Sequence, residues 1–488
     1  MTSAPATIES TTASSTRSRG VIITLLVAAF VMILNETIMG VALPRLMASL
    51  RINASTGQWL TTAFLLTMAV VIPTTGFLLQ RLSTRTIFLS AMSFFSAGTL
   101  LAGVSQSFWL LLIARVVQAS GTAIMLPLLM TTILTLVPLD RRGSVMGSVS
   151  IVISVAPAIG PTLSGLILQY LSWRFMFLLV LPVALLALLF GALRLVNVGE
   201  AGTQRLDVPS VLLSIPGFGG IVFGLSRIGE AGSSSQLVVA IVSLALGVVC
   251  LLLFGWRQIA LQNDRFPLLD LRVFRYPMFR VGVALLAITM MGLFGVIILL
   301  PIYLQNIRGM GSLGTGLLLL PGGLLMGLLA PGVGRIFDRH GPRALAVFGA
   351  ALLTVALWRF SAVNPGTPVW LLLVLHVVMS IGLACLFTPA FTTALNPLPP
   401  HLYSHGSATL TTLQQVAGAA GTALLVAIMT ARTVSAAAGG ATPVAAQNAG
   451  IHNAFLVSAG IGVVAIALAA MMRSPRDGEQ HEPVEQLA

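Results

Sequence analysis

Ile33-Leu34-Asn35-Glu36-Thr37-Ile38-Met39-Gly40-Val41-Ala42-Leu43-Pro44 closes an apolar run that opens at Val21. A bilayer core is crossed by about 20 predominantly apolar helical residues, so the run predicts a membrane span with Glu36 inside it. The other twelve acidic residues fall in predicted loops, helix ends or tails. A lone carboxylate in hydrocarbon is costly and marks a functional site by default. The competing reading is structural: a static ion pair that locks two spans together.

The whole chain has the composition this stretch requires. Of 488 residues, 57% are hydrophobic and 8% charged, where soluble domains carry about 25% charged residues. Mean hydropathy is +0.99. The solvent for so much apolar surface is lipid. The formal net charge of +13 does not mark a nucleic-acid binder, because the arginines are spread singly through short loops rather than gathered on one face. There is no lysine, which excludes a phosphate-binding loop with its obligatory Lys. Cys250 and Cys385 lie in separate apolar runs and suggest neither a disulfide nor a metal site. No nucleophile motif, metal-ligand cluster or dinucleotide loop occurs, so an enzyme is not expected.

Fourteen spans are predicted: 21–43, 57–79, 86–106, 108–136, 143–169, 175–196, 208–227, 236–256, 279–304, 314–336, 343–361, 368–394, 406–431 and 453–472. The first is too long for the core of a signal peptide and is expected to stay. An even number puts both termini on one side. Eighteen arginines face that side and seven the other, with Arg115 left inside a span. The positive-inside bias then places residues 1–20 and 473–488 in the cytoplasm as polar tails. The all-Arg usage hints at a GC-rich bacterium, and the expected location is its cytoplasmic membrane.

An internal repeat organises the spans. Gly76-x3-Gln80-Arg81-x3-Arg85 follows span two, and Gly334-x3-Asp338-Arg339-x3-Arg343 follows span ten, 258 residues later. Arg115-x5-Gly121-x5-Pro127 in span four matches His376-x5-Gly382-x6-Pro389 in span twelve. Residues 21–200 and 261–472 thus read as two six-helix bundles, with two inserted spans in 201–260. The fold class is an all-α integral membrane protein.

Two parallel six-helix repeats resemble the major facilitator superfamily, and the motifs resemble its fourteen-span drug/proton antiporters. Asn35 to Pro44 resembles that branch's first-span motif D-x-T-I-V-N-V-A-L-P. The Gly76–Arg85 and Gly334–Arg343 loops resemble its G-x-L-a-D-R-x-G-r-r. Arg115 to Gly121, with Gln118, resembles R-x-x-Q-G-x-G. Ala156 to Gly165, with Pro157, Gly160 and Pro161, resembles the antiporter motif ending G-P-x-x-G-G. Trp173-Arg174 then Pro182 resembles W-R-x-x-F-x-x-x-x-P. The likeness is greatest to lincomycin-type exporters and extends to quaternary-ammonium-type multidrug exporters. The chain departs from the pattern in having Asn35 for the family's Asp, with Glu36 next, and Gln80, Ser83 and Thr84 for Asp, Gly and Arg in the first loop.

Several residues are singled out. Glu36 and Arg115 each lie about seven residues from the same side of the bilayer, hence roughly 10 Å deep, and are expected to feel each other. Arg115 favours an ionised carboxylate and burial a protonated one. Arg115 reads equally as lock or switch. His376 holds the repeat position of Arg115 and can change charge near neutral pH; a neutral core histidine is the plainer reading. Asn35, Gln118, Gln414 and Gln415 are candidate cargo contacts, or ties between helices. Pro157, Gly160, Pro161 and Gly165 read as a hinge or a packing seam. Gly76, Arg81, Arg85, Gly334, Asp338, Arg339 and Arg343 read as topology signals or as a latch between helix ends. The latch is expected of Asp338 and not of the uncharged Gln80.

The resemblance implies proton-coupled efflux of small amphipathic, neutral or monocationic drugs by alternating access. It calls for no cofactor beyond the proton gradient, and for drugs, protons and lipid as the partners of a monomer. The alternatives are export of a lipid or dedicated metabolite on the same scaffold, and a non-transporting receptor.

Overall fold

The computed structural model describes residues 7–52, 54–195, 197, 207–228, 234–262 and 267–473. They form α1 (Thr7–Leu50), α2 (Ala54–Arg81), α3 (Thr84–Val104), α4 (Phe108–Leu136), α5 (Arg142–Tyr170), α6 (Phe175–Arg194), α7 (Val208–Ile228), α8 (Ser234–Leu261), α9 (Pro277–Ile302), α10 (Ser312–His340), α11 (Arg343–Ser361), α12 (Val369–Leu395), α13 (Tyr403–Ala438) and α14 (Pro443–Ala470). Each is long and apolar enough to cross a membrane. The ends follow local chemistry. Ser83, Ser107 and Thr442 cap α3, α4 and α14 with side-chain oxygens, and Gly341, at φ 81°, ends α10 where a left-handed residue is needed.

Several helices run longer than expected: α1 reaches Leu50, α13 reaches Ala438, and α14 begins at Pro443 rather than 453. Helix α1 begins at Thr7, inside the expected polar tail. Residues 7–19 contain no glycine or proline to stop it. Of the expected tail 473–488, residues 474–488 lie outside the described residues, as do Arg205 and Arg265.

The packing repeats as the sequence does. In the first bundle α1 packs on α5 and α6, α3 on α4 and α6, and α2 on α4. Eight helices later α9 packs on α13 and α14, α11 on α12 and α14, and α10 on α12. The bundles meet along two seams, α5–α10 and α2–α13, which are each other's repeat mates. The inserted hairpin breaks the symmetry, because α7 lies against both α2 and α13 while α8 packs mainly on α7. One seam is therefore covered and the other bare.

Short connections make successive helices antiparallel, so one end of the bundle carries the start of α1 and the end of α14. We call it the terminal face.

Candidate functional site

Asn35, Glu36 and Thr37 occupy one turn of α1, about 100° apart in projection. Asn35 faces α4, where its Oδ1 lies 3.4 Å from Nη1 of Arg115. Thr37 faces α5, with its Oγ1 3.5 Å from the carbonyl of Ala156 and its side chain against Gly160. Glu36 therefore points into the angle between α4 and α5, helices that also contact α13 and α12 of the other bundle. It is partly exposed there.

Arg115 is 1% exposed, and its Nη1 and Nε are hydrogen-bonded to neutral groups. Nη1 donates to Oε1 of Gln118 at 2.5 Å as well as to Asn35, and Nε donates to the carbonyl of Leu60 at 3.5 Å. The guanidinium also lies 4.0 Å from the ring centroid of Phe64. Gln118 is oriented in turn by donating from Nε2 to Thr99 Oγ1 at 2.8 Å. Glu36 and Arg115 are close enough to interact electrostatically. Among the described residues, however, no hydrogen bond or ion pair joins the Glu36 carboxyl to Arg115 or to any other side chain or backbone group. The static lock is thus not built. Asn35 and Gln118, expected to meet cargo, are sealed beneath Arg115 at 2% and 0% exposure.

His376 sits at Arg115's repeat position without its network. Its Nε2 pairs with the carbonyl of Leu319 at 3.1 Å, its Nδ1 has no partner, and Gly322 of α10 leaves room for the ring. Gln414 is buried with its Nε2 unbonded. Gln415 is half-buried, just beyond residues 403–412 of α13, all of which are buried.

The terminal face is sealed by bonds between the bundles. Asp338, ending α10, accepts from the backbone N–H groups of Gly143 and Ser144 at 2.9 and 2.8 Å, capping α5 of the other bundle. Its repeat mate Gln80, ending α2, donates from Nε2 to the carbonyl of His401 at 3.0 Å, just before α13. The expectation for Asp338 matches this geometry. That for Gln80 does not, because an amide bonds a carbonyl without needing charge. Arg142, which sequence reasoning assigned only to topology, is 5% exposed. It donates across the seam to Asn396 Oδ1 at 3.4 Å and Tyr403 Oη at 3.0 Å, and within its bundle to the carbonyls of Leu134 and Val137. Deeper in, Ser150 and Thr388 hydroxyls lie 2.9 Å apart across the seam.

Of the remaining arginines of the two loops, Arg85, Arg339 and Arg343 do not latch the bundles. Arg85 stays in its own bundle, donating to the carbonyl of Ala192 at 2.5 Å. Arg81 lies over Phe77. Arg339 and Arg343 are exposed and make no side-chain hydrogen bond or ion pair among the described residues.

The α5–α10 seam is made of small residues. A Cβ on Gly334 would lie 2.7 Å from the Gly143 carbonyl carbon, and one on Gly147 2.9 Å from that of Ala330. Gly316, Gly323 and Gly327 continue the contact toward the opposite face, as Gly165 does against Leu313. Pro157 and Pro161 sit within α5 without interrupting it. The spacing 316, 323, 327, 334 puts these glycines on one face of α10, a readable signal that the sequence reading did not use. Gly76, in the other seam, lies against His405 and Leu268.

Two repeated six-helix bundles, joined along two seams and bonded to each other at the terminal face, with an unpaired acid inside α1, define a membrane transporter. The chain belongs to the major facilitator superfamily: the family profile of that description matches residues 25–422. Among curated relatives, it is 44% identical over 464 residues to the lincomycin resistance protein LmrB of Listeria monocytogenes, covering 93% of this chain and 98% of that protein. It is 42% identical to LmrB of Bacillus subtilis, covering 93% and 95%. A multidrug resistance protein B homolog of Mycobacterium tuberculosis is 30% identical, with 85% and 76% covered. Among solved structures, the human organic anion transporter MFSD10 superposes with a TM-score of 0.64 at 15% identity, covering 93% of this chain and 99% of that one. The proton:xylose symporter XylE gives 0.64 at 16%, covering 93% and 95%. These two likenesses concern the fold.

Proposed function

We propose that the protein exports small amphipathic antibiotics in exchange for protons by alternating access. The observation that carries this reading is Glu36: an acid in the angle between α4 and α5, partly exposed, beside an arginine whose hydrogen bonds go to neutral groups. Such a carboxyl can bind or release a proton without first breaking a hydrogen bond, while Arg115 stays fixed as a positive neighbour. The arginine bias assigns the terminal face to the cytoplasm. The sealed seam there then corresponds to the state in which cargo leaves on the outer side. A proton entering from outside neutralises Glu36 as cargo departs. The seam opens inward, the proton is released, and new cargo binds. Gln414 and Gln415, where the sealed stretch of α13 ends, are the polar groups offered to cargo.

The names of the relatives make lincomycin the first compound to test. In inverted vesicles carrying Glu36→Gln, adding drug is expected to move no protons, whereas the wild type collapses a preformed pH gradient. Undiminished drug-driven proton movement in that variant would remove Glu36 from the mechanism.

A further inference from the structure

A cavity of about 680 Å³ lies at the terminal face between the start of α9, the start of α11 and the end of α14. Three arginines from three different segments line it: Arg280, Arg343 and Arg473. Each is exposed. Among the described residues none of the three guanidinium groups has a carboxylate or hydrogen-bond partner; the bond recorded for Arg473 is made by its backbone N–H to Met278. The N-termini of α9 and α11 open toward the same place and add positive potential. The one carbonyl end present, that of α14, is followed within three residues by Arg473.

Three like charges lining one cavity give it a positive potential that favours an anion. The remaining wall is apolar, with Val281, Ala284 and Leu468. Val281 and Ala284 lie one to two turns into α9 and Leu468 near the end of α14, two helices that pack against each other within the second bundle. Cations at the level of the helix ends above an apolar wall match an anion that carries hydrocarbon. Basic pockets between transmembrane helix ends bind anionic headgroups on this principle.

We propose that this cavity is a binding site for an anionic phospholipid, its phosphate held by Arg280, Arg343 and Arg473 and one acyl chain lying along Val281, Ala284 and Leu468. A free phosphate would meet the same guanidinium groups but would gain nothing from the apolar wall. The site is separate from Glu36 and from the seams, and it does not depend on the transport reading.

The test is native mass spectrometry of the delipidated full chain, titrated with phosphatidylglycerol, phosphatidylcholine or inorganic phosphate. Phosphatidylglycerol is expected to bind at least tenfold more tightly than phosphatidylcholine and to resist millimolar phosphate. The double variant Arg280→Ser/Arg473→Ser is expected to lose that preference, while Arg194→Ser/Arg335→Ser, with the same loss of charge elsewhere on this face, keeps it. Equal binding of the two lipids, displacement by phosphate, or full retention in the Arg280/Arg473 variant would overturn the proposal. Thermal unfolding of the wild type gives a reading that needs no variant: phosphatidylglycerol raises the Tm by several degrees and phosphatidylcholine does not, and equal shifts count against the site. Removing residues 474–488, which include Asp477, Glu479, Glu482 and Glu485, is expected to leave the lipid affinity within twofold. A large gain would identify that acidic segment as the occupant instead.

Discussion

Asn35 gives Arg115 an oxygen without a charge, and Glu36 carries the charge one residue later, on a different side of α1. The two tasks of holding the arginine and exchanging the proton are thereby divided between neighbours. A carboxylate at position 35 would sit sealed against Arg115, and a buried charge pair in good contact is held far more tightly than a surface one. Asn35→Asp is therefore expected not to rescue Glu36→Gln: drug-driven proton movement stays absent in the double variant. Recovery would place the proton site at the sealed position and contradict the division. Gln118 is the other support. Its bond to Arg115 is charge-assisted, worth about 1.5–3 kcal/mol in such settings. Gln118→Leu should lower the Tm of the purified protein by several degrees and leave Thr99 without its donor.

Among the elements, α5 and α10 show how a seam is closed reversibly. Asp338 satisfies two N–H groups at the start of α5 that no intrahelical carbonyl can reach. Asp338→Asn keeps the shape but gives up the charge that favours a helix N-terminus. With Cys250 and Cys385 replaced, a cysteine at Thr388, fully buried behind this cap, should react several-fold faster with a water-soluble maleimide in the Asp338→Asn background. An unchanged rate would make the cap incidental. The inserted hairpin has its own anchor at the terminal face. Asp207, just before α7, pairs with Nε and Nη2 of Arg257 on α8 at 2.7 and 2.8 Å. The Arg257 bond leads the effects that hold the Asp207 carboxyl down to about 2 from its ordinary 3.8, with Ser210 helping and burial opposing. A carboxyl whose folded value is depressed stabilises fully above its unfolded value and ceases to as pH falls through the folded one. The wild type should thus lose thermal stability between about pH 4 and pH 2, and Asp207→Asn should flatten that part of the profile. From the same hairpin, Gln258 accepts from the N–H of Leu269 at 3.1 Å, fixing the segment that lies under Gly76 and beside His405. The pair of spans with no counterpart in the repeat is in this way tied to the covered seam.

For the molecule as a whole, the closed seam is not fully satisfied. The hydroxyls of Thr393, Ser407 and Thr409 and Nε2 of Gln414 are buried without hydrogen-bond partners. A buried unpaired polar group costs about 1–3 kcal/mol, and opening the terminal face to water would relieve it. The cross-seam bonds of Asp338, Gln80 and Arg142 oppose that release, so two states of similar free energy are the expected result. Arg142→Gln removes the cation that reaches both Asn396 and Tyr403. Spin labels placed on the terminal-face ends of α5 and α10 should then show a longer mean distance than in the wild type, and an identical distribution would argue that packing alone closes the seam.

The sequence by itself determined the membrane setting, the fourteen spans, the repeat and the placing of one acid inside the first span. These follow from hydrophobic runs, arginine distribution and spacing, all of which are local or periodic along the chain. It also pointed to Asp338 as the residue able to cap a neighbouring helix. The partners were decided by the tertiary structure alone. Arg142 reads as one of many loop arginines until α12 and α13 close over it, and Gln80 reads as a weakened copy of Asp338 until His401 presents a carbonyl. Asn35 and Gln118 read as polar groups for a cargo until Arg115 is seen to occupy both. Which of several polar side chains bonds which other depends on the rotation and approach of helices far apart in the chain, and no local pattern encodes that.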